Sequence, residues 1–221
     1  MLTVHHLNNS RSQRVLWLLE ELGLPYEIRR YERDGKTMLA PPELKAVHPL
    51  GKSPVITDGA ATLAETGAIV ETICEAYAGG RLRPAAGTEE RLRWTYWMHY
   101  AEGSAMPPLL MKLVFTALPQ RAPGLIRGLV KAVSNSALKG FVDPQLTSHF
   151  DHWEAELGRS AWFAGEAFSA ADVMMSFPIE AAADRAGALE GRPRLAAFLQ
   201  AIHARPAYQA ALAKGGPYAY A

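Results

Sequence analysis

The chain has 221 residues, 49% of them hydrophobic and 20% charged, with a formal net charge of +1. That length suits one large domain or two small ones with a proper core. The balance excludes a disordered or collagen-like chain and argues against a nucleic-acid binder, which carries a marked basic excess.

The opening M-L-T-V-H-H-L is too short and too polar for a signal peptide. Leu2 to Leu7 reads as a short strand that meets a polar turn at Asn8-Asn9-Ser10. A helix follows, with Val15, Leu16, Leu18, Leu19 and Leu22 at helical spacing and Gly23 then Pro25 as its stop. Tyr26 to Tyr31 alternates as a half-buried strand does. The polar run from Glu32 to Pro42 is expected to be a loop, with at most a short helix at Glu43 to Val47. Val55 to Thr57 and Thr62 to Leu63 flank Asp58-Gly59, a tight reversal between antiparallel strands. Ala68, Ile69, Ile73, Ala76 and Tyr77 mark a helix ended by Gly79-Gly80. Strand-helix-strand followed by strand-strand-helix is one compact α/β unit.

No convincing strand follows. Glu89 to about Ala105 reads as one long helix that Pro107-Pro108 should end or kink. The longest apolar run, Leu109 to Leu118, is broken by Lys112 and falls short of the ~20 residues of a membrane span. Helical material continues from Arg121 to Leu157 with interruptions expected near Asn135, Gly140 and Pro144. Further helices are expected at Ala170 to Ala186, Arg194 to Arg205 and Pro206 to Lys214. The fold class is therefore α/β plus all-α, with one domain at residues 1–79 and a second at residues 88–221. The lone cysteine, Cys74, cannot close an internal disulfide, so the cytoplasm is the expected location.

Two places could carry chemistry. The stretch from His48 to Thr66 enters a strand through Ser53-Pro54, and a proline there suits a sharp turn that leaves the backbone of Ser53 free for a small peptide. Ser10 stands at the turn into the first helix. With Gln13 three residues on it fits a capping box, the commoner use of such a serine, but a hydroxyl at a helix N-terminus can also serve an anion. Ser169 and Asp172 form a second capping box flanked by Phe168 and Val173, and there the structural reading stands alone.

Four motifs in order, N-N-S-R-S-Q-R-V, H-P-L-G-K-S-P-V-I, L-A-E-T-G-A-I and F-S-A-A-D-V, give the chain a resemblance over essentially its whole length to cytosolic glutathione S-transferases of the serine-type bacterial and fungal kind. The resemblance implies a thioredoxin-like first domain that binds glutathione as co-substrate and an all-helical second domain that supplies the hydrophobic substrate site. It implies that Glu65 accepts from the γ-glutamyl ammonium, that Thr66 holds the α-carboxylate, that the backbone of Ser53 pairs with the cysteinyl part and that Lys52 meets the glycyl carboxylate. As structure alone, Glu65 and Thr66 would merely cap their helix, and Lys52 would be solvated surface. Ser10 would hydrogen-bond the sulfur and favour the thiolate, with Asn9 assisting and Arg11, where many relatives carry proline, adding positive charge.

The first strand holds no tyrosine to act in place of Ser10; His5 and His6 read as structural. Cys74 lies in the third helix, far from Ser10, and reads as a buried apolar residue. Tyr100 and Met106 are the expected lining of the electrophile pocket, and the tail G-P-Y-A-Y-A either covers the cleft or frays. The expected function is conjugation of glutathione to small hydrophobic electrophiles, with reduction of organic hydroperoxides as a companion activity. Glutathione-dependent isomerase, lyase or dehalogenase chemistry, or a non-enzymatic module of the same fold, are the alternatives. Expected partners are small-molecule substrates and a second copy in a homodimer, with no nucleic acid, membrane or metal.

Overall fold

In the computed structural model, which describes residues 1–220, the N-terminal part is built on a short central strand, β1 (Thr3–Leu7). Val4 through Leu7 are all buried, so both faces of this strand are covered. Helix α1 (Ser12–Leu22) buries Val15, Leu16, Leu18, Leu19 and Leu22. It ends where the N–H groups of Gly23 and Leu24 return to the carbonyls of Glu20 and Leu19 at 3.1 and 3.0 Å. That ending needs a left-handed residue, and Gly23 supplies it at φ +62°. Strand β2 (Glu27–Tyr31) lies parallel to β1, and the short α2 (Pro42–Val47) inserts Leu44 against Leu7 and Tyr31.

Strands β3 (Val55–Asp58) and β4 (Ala61–Ala64) complete an antiparallel edge, giving the order β2-β1-β3-β4. Asp58 pairs with Ala61, so the loop is Gly59-Ala60, one residue later than the expected reversal at Asp58-Gly59. Asp58 keeps its ladder place because its carboxylate is anchored by the amino group of Met1 at 3.2 Å and the hydroxyl of Tyr77 at 2.8 Å. Helix α3 (Thr66–Thr72) continues through a π-helical turn to Tyr77.

The remainder is helical. Helix α4 (Glu89–Tyr100) runs through a π turn, Ala101–Ala105, directly into α5 (Met106–Arg121). Pro107-Pro108 therefore does not end the helix, an end being one of the two outcomes expected of it. The widened turn just before the prolines lets the coil pass two residues that lack an N–H. In the same way α6 (Arg127–Ala137) passes through the π turn Leu138–Val142 into α7 (Asp143–Glu156), so Asn135, Gly140 and Pro144 do not interrupt it. The break falls instead at Ala122 and Pro123. Helices α8 (Ala170–Ala186), α9 (Pro193–His203) and α10 (Pro206–Gly215) follow close to their expected spans. The capping box of Ser169 and Asp172 forms at the start of α8, which is buried along most of its length.

One continuous core joins the two parts: Leu16 and Val70 share a cluster with Trp94, Leu109 and Met174. The buried Arg14 guanidinium crosses the junction to the carbonyl of Met174 at 2.7 Å. Among the described residues no helix is long and apolar enough to cross a membrane.

Candidate functional site

The sheet register brings the singled-out residues to one end of the sheet. His5 opposite Val55 is the last pair between β1 and β3, and Val55 opposite Ala64 is the end pair of the hairpin. Leu7 leading to Ser10, Ser53-Pro54 leading into β3, and Glu65-Thr66 leaving β4 must therefore meet at that end. The peptide between Ser53 and Pro54 is cis.

Ser10 is buried. The capping box predicted for it does not form. The N–H of Gln13 goes to the Ser10 carbonyl at 3.2 Å, and Arg11, the residue at the N-cap, makes no side-chain cap. The amide of Gln13 points away instead, with its oxygen against Gly215 at the end of α10. Ser10 Oγ instead accepts from the N–H of Ser12 at 3.3 Å and lies 2.7 Å from Ser12 Oγ and 3.4 Å from Ser53 Oγ.

Ser53 spends its side chain on β1. Its hydroxyl donates to the carbonyl of His5 at 2.9 Å and accepts from the N–H of Leu7 at 3.3 Å. Those bonds extend the β1–β3 connection past its last backbone pair and leave the Ser53 backbone beyond the ladder.

Neither Glu65 nor Thr66 caps α3 through its side chain. Glu65 stands at the N-cap of α3 without a side-chain cap bond, at φ +71° and ψ +119°. A residue with a Cβ avoids that region, at a cost of about 1–3 kcal/mol. Its side chain is exposed while Thr66 beside it is buried. Lys52 is exposed on the loop entering β3.

Arg11 turns its guanidinium toward the helical part, with Nε 3.1 Å from Glu102 Oε2 and its end over the ring of Phe177. Burial pulls its pKa down, while Glu102 and then Glu65 hold the charge in place. Asn9, at φ +48°, accepts from the N–H of Ala219 at 2.8 Å. The tail thus folds back on the turn beside Ser10, with the Tyr218 hydroxyl donating to Glu180 at 2.7 Å; its last residue, Ala221, lies outside the described residues.

The two expected pocket residues part company. Tyr100 sends its hydroxyl into the helical bundle, where it accepts from Trp153 Nε1 at 3.1 Å and pairs with His149. Met106 stands one helical turn after Glu102, the residue that meets Arg11, and is buried. The structure brings together Ser10, Arg11, Ser53, Glu65 and Thr66 and leaves Tyr100 apart.

Sequence reading missed Glu102 and Ser12. Glu102 sits in the π turn, whose altered phase hides which face it occupies; Ser12 was legible only as part of the motif around Ser10. His5 and His6 are structural in contact, His5 bonding Tyr31 and Thr57 at 2.9 and 3.1 Å. Cys74 is buried, and burial pushes its thiol up to about 12. A cleft of about 470 Å³ lies between α5 and α6 and is lined by Phe115, Pro119, Arg127 and Lys131; it shares no residue with this site.

Comparison with known proteins gives a concordant picture. The family model described as "Glutathione S-transferase, N-terminal domain" matches residues 10–76, and "Glutathione S-transferase, C-terminal domain" matches residues 137–201. The chain is 38% identical to glutathione S-transferase 3 of Schizosaccharomyces pombe, over 82% of this chain and 74% of that protein. It is 31% identical to glutathione S-transferase 1 of Saccharomyces cerevisiae, over 97% and 95%. Among solved structures, a glutathione S-transferase of Actinobacillus pleuropneumoniae superposes with a TM-score of 0.80 at 31% identity, covering 100% of this chain and 95% of that one.

Proposed function

The chain belongs to the glutathione S-transferase family and is an enzyme that transfers glutathione; we propose that it grips the tripeptide along the edge from Lys52 to Thr66 and activates the thiol with Ser10. The observation that carries this reading is the meeting of Ser10 with Ser53, 3.4 Å between hydroxyls, at the open end of the β1–β3 ladder.

An extended peptide can add to the free backbone of Ser53 as a short antiparallel strand. That places a cysteinyl residue beside Ser53 and its sulfur toward Ser10. Glu65 then accepts from the γ-glutamyl ammonium, and its strained backbone is understandable as the cost of aiming the carboxylate outward. Thr66 offers its hydroxyl and N–H to the α-carboxylate, and Lys52 serves the glycyl end. A hydrogen bond to a charged group contributes about 1.5–3 kcal/mol, and one pKa unit is about 1.4 kcal/mol. Ser10 can therefore lower the thiol pKa by roughly one to two units, enough to populate thiolate near neutral pH.

Arg11 brings a guanidinium shared with Glu102 to the turn next to Ser10, and Asn9 supports that turn through its bond to Ala219. Met106, on the same helical face as Glu102, lines the electrophile side. The substrates are small hydrophobic electrophiles, and the same thiolate serves organic hydroperoxides. The division of labour follows residues 1–79 for glutathione and 88–221 for the second substrate.

Exposed apolar residues, Leu92 and Tyr96 on α4 and Leu110, Val114 and Leu118 at four-residue spacing on α5, support a homodimer, since exposed apolar surface marks association sites. The buried, unpaired Cys74 suits a reducing cytoplasm. Retention on immobilised glutathione, with conjugation of an aryl halide by wild type and by Ser10→Ala, tests the reading: binding with lost turnover supports it, and unchanged turnover leaves Ser10 a structural residue.

A further inference from the structure

Behind Ser10 stands a file of buried polar groups whose donor directions can be worked out from one end. His6 Nε2 lies 3.0 Å from the carbonyl oxygen of Gly215, at the C-terminus of α10. A carbonyl only accepts, so that nitrogen carries a proton. Burial lowers the His6 pKa to about 4, so the ring is neutral and its Nδ1 is a bare acceptor. Ser12 Oγ is 2.8 Å from Nδ1 and must spend its proton there. Ser12 then turns a lone pair toward Ser10 at 2.7 Å.

Ser53 is committed in the same way, its proton lying on the His5 carbonyl at 2.9 Å. Of the three hydroxyls gathered here, only that of Ser10 has a proton without a fixed destination. It can point to Ser12 Oγ, more distantly to Ser53 Oγ, or to an arriving sulfur.

We propose that Ser12, oriented by His6 and the Gly215 carbonyl, is a positioning residue that competes with the glutathione sulfur for the Ser10 proton and so sets the thiol pKa above the lowest value Ser10 could reach. This rests on the assignment of Ser10 as the group that meets the sulfur. Ser12 tethers the Ser10 hydroxyl in the free enzyme. When thiolate binds, the proton turns to sulfur while the N–H of Ser12 stays on Ser10 Oγ. The thiolate gains one hydrogen bond and the protein gives one up. Such tempering suits the reaction, because a thiolate loses nucleophilicity as its pKa falls and reacts best with a pKa near the ambient pH.

The arrangement is built rather than incidental. A Cβ on Gly215 would stand 2.6 Å from Gln13 Oε1 and 3.0 Å from Leu16 Cδ1, so the end of α10 is packed closely on α1 beside His6. Ser12 itself is fully buried.

The test is the pKa of the thiol of bound glutathione, followed by thiolate ultraviolet absorbance, in wild type, Ser10→Ala, Ser12→Ala, Ser12→Thr and His6→Phe. Removing the competitor is expected to raise the thiolate-to-thiol ratio at a fixed pH by roughly three- to tenfold in Ser12→Ala, the worth of one neutral hydrogen bond. Ser12→Thr should behave as wild type. His6→Phe, which frees the Ser12 proton to point at Ser10, should shift the ratio in the same direction and stands in for Ser12→Ala should that variant fail to fold. A role confined to holding Ser10 in place has the opposite sign. An unchanged or higher thiol pKa in Ser12→Ala, or in His6→Phe if that is the variant that folds, overturns the proposal. If Ser10→Ala leaves the thiol pKa where it was, the assignment of Ser10 fails first, and the competition argument with it.

Discussion

Arg14 and Glu102 form an ion pair across the junction between the sheet-containing and helical parts, the arginine side chain 1% exposed and the glutamate 31%. Arg11 adds a second contact to the other Glu102 oxygen. Burial pushes the Glu102 carboxyl up, but Arg14 and Arg11 outweigh it and hold its pKa below the usual glutamate value. An acid with a depressed folded-state pKa contributes stability above its unfolded pKa and loses it as the pH falls through the folded one. Glu102→Gln should therefore cost about 3 kcal/mol at neutral pH, because Arg14 is left buried with only the Met174 carbonyl. The cost should shrink below pH ~4. Urea unfolding of both proteins across that range checks it.

Glu65 gives a prediction in which binding and stability separate. Glu65→Gln is expected to weaken glutathione binding roughly ten- to a hundredfold, the loss of one charged hydrogen bond, with little change in melting temperature. Glu65→Gly should lose the same affinity yet hold or raise stability by up to ~1 kcal/mol, since glycine accepts φ +71° without strain. Calorimetric titration beside thermal melts reads both.

Asp172 tests the structural reading of the second capping box. Its carboxylate accepts from the N–H groups of Phe163 and Ser169, both at 2.8 Å, while complete burial pushes its pKa up to about 6. Asp172→Ala is expected to cost about 2–4 kcal/mol and to leave the thiol pKa of bound glutathione unchanged in the folded protein. Because its folded pKa is raised, the contribution of this carboxyl is largest below pH ~4 and declines as the pH rises through about 6. A melting series over that interval should show the decline in wild type and not in the variant.

Tyr100 and Met106 should behave differently from each other. Tyr100→Phe strands the buried Trp153 N–H and is expected to lower stability by about 1–3 kcal/mol with the electrophile KM unchanged. Met106→Ala should raise that KM. Steady-state kinetics with a hydrophobic aryl halide distinguish the two.

Local rules made most of the fold legible. The stop at Gly23, the reversal near Gly59, the cap at Ser169 and the apolar spacing of α1 each impose one backbone answer, and the hairpin sets β3 beside β4, whereas the place of β1 between β2 and β3 emerges only in the structure. The errors cluster where the helix is not an α-helix. Pro107-Pro108 and Gly140 look like breaks only on an α-helical count, and the π turns at Ala101–Ala105 and Leu138–Val142 absorb them. The same change of phase hid Glu102, which lies inside the first of these turns. At the site, the turn before α1 and the Ser53-Pro54 entry pointed to Ser10 and Ser53, and the family resemblance to Glu65 and Thr66, but neither could show that Ser10 takes the N–H of Ser12 without a return bond from Gln13, because that depends on how Ser12, Ser53 and His6 pack around it.

Stabilisation of the bound glutathione thiolate by Ser10 is read from the thiol pKa in the glutathione complex of Ser10→Ala. A rise of roughly one to two pKa units over wild type is expected, with glutathione still bound through Ser53, Glu65 and Thr66. A thiol pKa that stays at the wild-type value in the saturated complex would contradict it.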